Sequence, residues 1–435
     1  MPARILPPAG PPRRLALAQL VNSVGDGAYY VCSTLYFARI AGLPPALIGL
    51  GLTLAWAAAA PAGILLGHLA DRRGPRTVSA LLAAATGLAV AGFLLVRSFP
   101  AFVATACLYA ICQSGLAASR QALLAGLVPP AARTGVLAHL QSTLNAGLAA
   151  GAALGGIALH LGTPAAYRAA LALDAAGFLL CALLLLTLPP VAPTPAGPAP
   201  RGGARLAVLR DRPYALVTLL QAVMLLRMPL ISIAIPLWIA ERTAAPGSLT
   251  ALLMLLNTLA VTLFQVRIAR HATGLGPAVR LLRRSGPVML AACAVFAAAA
   301  APATAPVAAA LLCAAAVLLV TGEMMQSAGA WQIAFGLAPE GRQGQYQGFF
   351  GSATAVARMA GPVLLTALTV NWGPPGWLLL GGLFLLAGTA MGPVVRRASR
   401  IAVQDAPAQP APHPHRPPHG NPQPLTADRA GKGHP

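Results

Sequence analysis

Twelve apolar stretches, each close to 20 residues or longer, divide this chain and are separated by polar, proline-rich or basic segments. About 20 mainly apolar residues, at 1.5 Å each, cross a hydrocarbon core of roughly 30 Å. Inside that core each segment must satisfy its own backbone groups, which leaves helices as the spanning element. The stretches are 15–40, 45–67, 77–97, 100–128, 135–160 and 166–188, then 213–240, 247–266, 286–303, 305–336, 345–371 and 374–395. The expected fold is therefore an all-α membrane protein, with twelve transmembrane helices in two pseudo-symmetric six-helix halves. Composition agrees: 57% of the residues are hydrophobic and 9% are charged, against about a quarter charged in soluble domains.

The expected organisation is a short N-terminus (1–14), one half (15–188), a linker (189–212), a second half (213–396) and a disordered tail (397–435). The linker opens Leu-Pro-Pro-Val-Ala-Pro and carries Arg201, Arg205, Arg210 and Arg212, so it reads as polar chain, not span. The tail holds His413, His415, His419 and His434 in a low-complexity context, where solvated chain outweighs metal capture. A net charge of +21 would ordinarily suggest nucleic acid. Its placement argues otherwise. Arg13, Arg72, Arg73, Arg76, Arg133, Arg267, Arg270, Arg280, Arg283, Arg284, Arg342, Arg396 and Arg397 all fall at alternate ends of the spans, whereas the opposite ends hold Arg39, Arg97, Arg168 and Arg242. By the positive-inside rule both termini are cytoplasmic, and the partner is the lipid bilayer, not nucleic acid. The Ala-, Gly-, Pro- and Arg-heavy usage fits a GC-rich bacterium and hence its plasma (inner) membrane. All six cysteines lie in apolar stretches without a Cys-x-x-Cys pair, so no metal site is expected.

Leu127-Val-Pro-Pro-Ala-Ala-Arg133-Thr-Gly and Leu337-Ala-Pro-Glu-Gly-Arg342-Gln-Gly, about 210 residues apart, repeat one punctuation ahead of spans 5 and 11. Such internal repeats characterise secondary transporters. Between spans 2 and 3 stands Gly67-His-Leu-Ala-Asp71-Arg72-Arg73-Gly74-Pro-Arg76. It resembles the Gly-x-Leu-Ala-Asp-Arg-x-Gly-Arg-Lys signature of the major facilitator superfamily, in its usual place. The resemblance extends over roughly residues 14–397 and implies a cytoplasmic gate made by Gly67, Asp71, Arg72, Gly74 and Arg76. Asp71 can cap a neighbouring helix, while the arginines hold phosphates or carboxylates. In span 5, Gly147-x-x-x-Gly151-Ala-Ala-Leu-Gly155-Gly156 resembles the motif of drug–proton antiporters, with Ala152 in place of Pro. Gly361-Pro362 in span 11 carries the missing pair. Packing of small residues is the alternative explanation for both.

Ionisable residues deep in a span are costly and are expected to be paired, hydrated or functional. Asp26, Arg120, Arg227 and Glu323 fall in spans 1, 4, 7 and 10, the cavity-lining helices of the superfamily, with Arg358 in span 11. Asp174 in span 6 reads as interfacial, nearer an outer end. Helical spacing adds Asn22 and Tyr30 to the Asp26 face, Gln113 to that of Arg120, and Gln326 and Trp331 to that of Glu323. Proton coupling is expected at Asp26 or Glu323; structural ion pairs of Asp26 with Arg120, and of Glu323 with Arg227 or Arg358, are the alternative. No nucleotide loop, nucleophile elbow or metal helix occurs, so the chain is expected to be no enzyme and to need no cofactor beyond a proton gradient. The expected function is monomeric secondary transport of a small organic solute, most readily export by proton antiport. Proton-coupled uptake, sugar efflux, or a non-transporting receptor or scaffold are the alternatives.

Overall fold

The computed structural model describes residues 7, 9–193, 206–301 and 304–404. The middle of the linker (194–205) and the tail from 405, with its four histidines, lie outside the described residues. Twelve helices of membrane-spanning length follow one another in the described chain. They are α1 (Pro11–Arg39), α2 (Pro45–Arg73), α3 (Pro75–Phe93), α4 (Phe99–Leu127), α5 (Pro130–Leu161) and α6 (Pro164–Leu186). The second set is α7 (Arg212–Arg242), α8 (Leu249–Ala272), α9 (Leu275–Ala298), α10 (Ala305–Leu337), α11 (Gln343–Asn371) and α12 (Pro374–Gln404). Eleven are apolar enough to cross a membrane by composition. The exception is α1, which carries Gln19, Asn22, Ser23 and Asp26 and packs between α5 and α6.

The two halves repeat one packing scheme. In the first, α1 packs on α5 and α6, α3 on α4 and α6, and α2 on α4. Adding six to each label gives the packing of the second: α7 on α11 and α12, α9 on α10 and α12, and α8 on α10. Each half has its own apolar core. Phe37, Phe93 and Phe102 centre the first, with ring centroids 4.8–6.0 Å apart. Trp238, Phe296 and Trp377 form an aromatic cluster in the core of the second.

Proline sets many of the boundaries. Each of α1–α7 has Pro in its first two positions, where the missing N–H has no helical partner to lose. Gly74, at φ +91°, turns the chain between α2 and α3 in a conformation that favours glycine. The repeated Arg133 also has a structural use: it donates to the carbonyls of Ala125 (2.6 Å) and Val128 (3.1 Å), which α4 leaves unpaired at its end.

Two expectations need correction. The ninth span begins at Leu275, not at 286, because its arginine-bearing turns (Arg280, Arg283, Arg284) are still helical. Long arginine side chains let a helix continue past its apolar stretch. Second, α7 is not continuous: an α-helix ends at Leu225, a turn carries Arg227, and a π-helical turn spans Leu230–Ala234. Pro229 cannot donate to the Leu225 carbonyl, so the break falls there.

Candidate functional site

The cavity lies between the halves. One chamber of about 320 Å³ is lined by Trp56, Gln113, Gln121, Gln141, Gln221, Gln326, Trp331, Gln347, Phe350 and Arg358, among others. It adjoins a second, of about 260 Å³, which adds Gln19, Asn22, Asp26, Tyr30 and Arg120. Gln113, Ala117, Gln121, Gln141, Trp331 and Arg358 line both, so the two chambers adjoin along these residues. Asn22, Tyr30, Gln113, Gln326 and Trp331 are all on its wall, where helical spacing put them.

The charges divide differently from expectation. Asp26, Arg120 and Arg358 line the cavity together. Arg227 and Glu323 do not: they form an ion pair at 2.7 Å. Arg227 also donates to Gln326 (3.1 Å) and Ser327 (3.0 Å), and Gln326 donates to Gln221 (2.8 Å). The network satisfies a buried arginine with three partners, all on α10. Asp26 and Arg120 are not an ion pair. The Asp26 Oδ2 accepts from Asn22 Nδ2 (2.5 Å), and Arg120 donates to Gln19 Oε1 (2.6 Å). Arg358 lies with its guanidinium carbon 4.4 Å over the Trp56 ring. Asp174, read as interfacial, is fully buried near mid-helix, its Oδ1 against Gly25 and neither carboxyl oxygen hydrogen-bonded. The helix register places it there: with α6 running from Pro164 to Leu186, residue 174 is central.

One face of the cavity is closed. Asp71 accepts the Gly344 N–H (2.7 Å) and the Gln345 N–H (2.9 Å), capping the first turn of α11 from the other half. Glycines make this approach possible. A Cβ on Gly67 would strike the Gly344 carbonyl, and one on Gly63 would lie 2.6 Å from Ser114 Oγ and 3.3 Å from the Gly348 carbonyl. Gly63-x-x-x-Gly67 on α2 thus crosses Gly344-x-x-x-Gly348 on α11 backbone to backbone, a pairing that sequence reading missed although both repeats are legible. Thr134 donates to Gln332 (2.5 Å), and Ala138, Ala269, Ala272 and Ala328 pack beside it on the same side. Across the same interface α1 and α7 make no extended contact among the described residues. The structure is therefore held shut on the Asp71 side. Within the signature, Arg76 donates to the Leu188 carbonyl (3.0 Å), tying α3 to the end of α6. Arg72 is exposed and is not brought to the interface.

The span-5 glycines seat α5 on α1. A Cβ on Gly147 would lie 2.6 Å from Ser23 Cβ, one on Gly151 2.8 Å from the Val24 carbonyl carbon, and one on Gly155 2.9 Å from Val31 Cβ. Gly156 faces open space and takes no part. Gly361, next to Pro362, meets Pro229 of the broken α7 in the equivalent place. Gly151→Val is expected to destabilise the protein by about 2 kcal/mol through overpacking, read as a lower Tm in detergent. Gly156→Val should leave Tm unchanged. Equal Tm values for the two variants would contradict this packing.

Two pseudo-symmetric six-helix halves around a polar cavity form the architecture of a membrane transporter. The chain belongs to the Major Facilitator Superfamily, whose family model matches residues 15–362. No curated protein matches it. Among solved structures it is similar to a bacterial homologue of the iron transporter ferroportin in its outward-facing state, with 16% identity and a TM-score of 0.69 over 91% of this chain and 100% of that one. It is also similar to the human organic anion transporter MFSD10 (19% identity, TM-score 0.64, covering 88% and 99%). A third similar structure is the proton:xylose symporter XylE (15% identity, TM-score 0.63, covering 88% and 96%). At these identities the likeness is one of fold.

Proposed function

We propose that this protein is a proton-coupled secondary transporter of a small organic solute, with Asp26 as the proton site. One observation carries the reading: Asp26 is the single carboxylate among the described residues lining the cavity, and it has no ion-pair partner. Asp26 shares the cavity wall with Arg120 and Arg358, and a nearby positive charge alters how firmly a carboxylate holds a proton. Movement of the halves, which changes its distance to Arg358, therefore changes its hold on a proton. Glu323, the other acid expected to couple, is already engaged by Arg227.

The span-5 motif supports export by antiport as one reading. Uptake by symport is the second reading, and the charge balance of the cavity favours it: two arginines stand against one aspartate. The solved neighbours are an organic anion transporter, a homologue of an iron transporter and a xylose symporter, so the fold leaves the solute to the cavity. The test uses membrane vesicles given a pH gradient and a mixed pool of organic solutes, analysed by mass spectrometry. A solute should accumulate or be expelled with the wild-type protein and not with Asp26→Asn, and the sign gives the direction. No solute moving in either sense would leave a receptor or scaffold.

The Asp71 side is proposed to be cytoplasmic, with both termini, in a bacterial inner membrane. In a background lacking the native cysteines, Thr163→Cys should react with an impermeant thiol reagent on intact cells and Glu340→Cys should not. Both positions are exposed at opposite ends of the bundle. The reverse labelling would invert the topology.

A further inference from the structure

We infer that the cavity is built for an organic anion, whose acid group sits between Arg120 of one half and Arg358 of the other and whose apolar body lies against Trp56, Trp331 and Phe350. The inference rests on the transporter reading above and names its substrate class.

The argument begins with the charges that remain after pairing. Arg227 and Glu323 cancel each other away from the cavity wall. Among the described residues the wall keeps Arg120, Arg358 and Asp26. Its net charge is therefore positive whether or not Asp26 carries a proton. Neither arginine has a carboxylate within ion-pair distance. Arg120 commits one donor to Gln19, and a guanidinium has five. Arg358 is stacked on Trp56 and donates a hydrogen bond to Tyr30, which fixes its plane and leaves its remaining N–H donors for a planar acid group. A cation entering here would meet a wall of net positive charge, and a neutral solute would leave two arginines against the single carboxylate of Asp26 in a space walled by tryptophan and phenylalanine. An anion resolves both problems. Glutamines 113, 121, 141 and 347 offer amide donors and acceptors around the body of the solute, and the combined chambers suit a molecule at the small end of the drug-sized range.

A sign for the coupling follows. The groups facing Asp26 are Arg120 and Tyr109 on α4, Arg358 on α11, Asp174 and Cys181 on α6, and Tyr29 and Tyr30 on α1 itself, while α5 presents glycines. Adding a proton to Asp26 removes the one negative charge on the cavity wall and so strengthens anion binding. By reciprocity a bound anion strengthens proton binding. Proton and solute then load together, which selects symport over antiport.

The experiment uses the full-length protein and three probes with one bicyclic body: naphthalene-2-sulfonate, naphthalene-2-carboxamide and 2-naphthylmethylammonium. Binding is measured by calorimetry in detergent, and proton flux by a pH-sensitive dye inside proteoliposomes. The sulfonate is expected to bind at least about tenfold more tightly than the other two. Arg120→Gln and Arg358→Gln should each lower that affinity about tenfold or more, with Arg120→Lys and Arg358→Lys losing less. Wild-type affinity should rise on acidification, and that of Asp26→Asn should be flat with pH. The sulfonate should evoke proton flux. Preference for the ammonium or the amide, or sulfonate affinity unchanged in both arginine-to-glutamine variants, would overturn the anion site. Proton flux evoked by the ammonium or amide alone would overturn it while upholding a proton-coupled transporter. If no probe binds and none evokes flux, both readings fall.

Discussion

Asp26→Asn is expected to abolish accumulation driven by a pH gradient while leaving downhill exchange measurable. One proton moving down about 100 mV supplies ~2.3 kcal/mol, which sustains roughly a 50-fold solute gradient. Without a titratable group at the site, that gradient should collapse to equality. The expectation depends on Asp26 standing alone on the cavity wall, hydrogen-bonded to Asn22 and opposite two arginines that lack ion pairs. An amide in the same place keeps the hydrogen bond and the volume, so a folding defect is not the expected route to loss. Asp174→Asn is the informative companion. Asp174 is buried against Gly25, next in sequence to Asp26, but does not reach the cavity. If Asp26→Asn still concentrates solute and Asp174→Asn does not, the proton site moves one helix away. If both concentrate it, another ion drives transport.

Asp71→Asn should shift the balance of conformations instead. The carboxylate accepts two backbone N–H groups at the start of α11, where the helix dipole also favours negative charge. An asparagine offers one oxygen, and its amide N–H₂ meets a donor where the second oxygen was. The loss is about 2 kcal/mol, roughly a 30-fold shift toward opening on that side. A cysteine introduced at Gln141, on the cavity wall, should become more reactive from the Asp71 side and less so from the other. Unchanged reactivity from both sides would reduce Asp71 to a topology signal. Gly67→Leu should have the same direction with a larger effect, because its side chain would occupy the place of the Gly344 carbonyl.

The sequence by itself determined the number of spans, their division into halves and the side on which each end gathers arginine. These follow from length and hydropathy, because a bilayer demands a spanning helix wherever about 20 apolar residues occur. It also singled out Asp71 as a residue able to cap a helix, and Asn22, Asp26, Tyr30, Gln113, Arg120, Gln326 and Trp331 because polar and aromatic groups on one face of a span stand out, while the family resemblance assigned their helices to the cavity. Tertiary structure decided which charges pair. Helical spacing places a residue on a face but does not say how far another helix stands from it. Arg227 therefore turned to Glu323 through a break at Pro229, while Asp26 and Arg120 remained separate. The same limit hid the burial of Asp174 and the partners of Gly63 and Gly67. A glycine's role depends on what approaches it, and Gly151 and Gly156, five residues apart in one motif, meet a backbone and open space respectively.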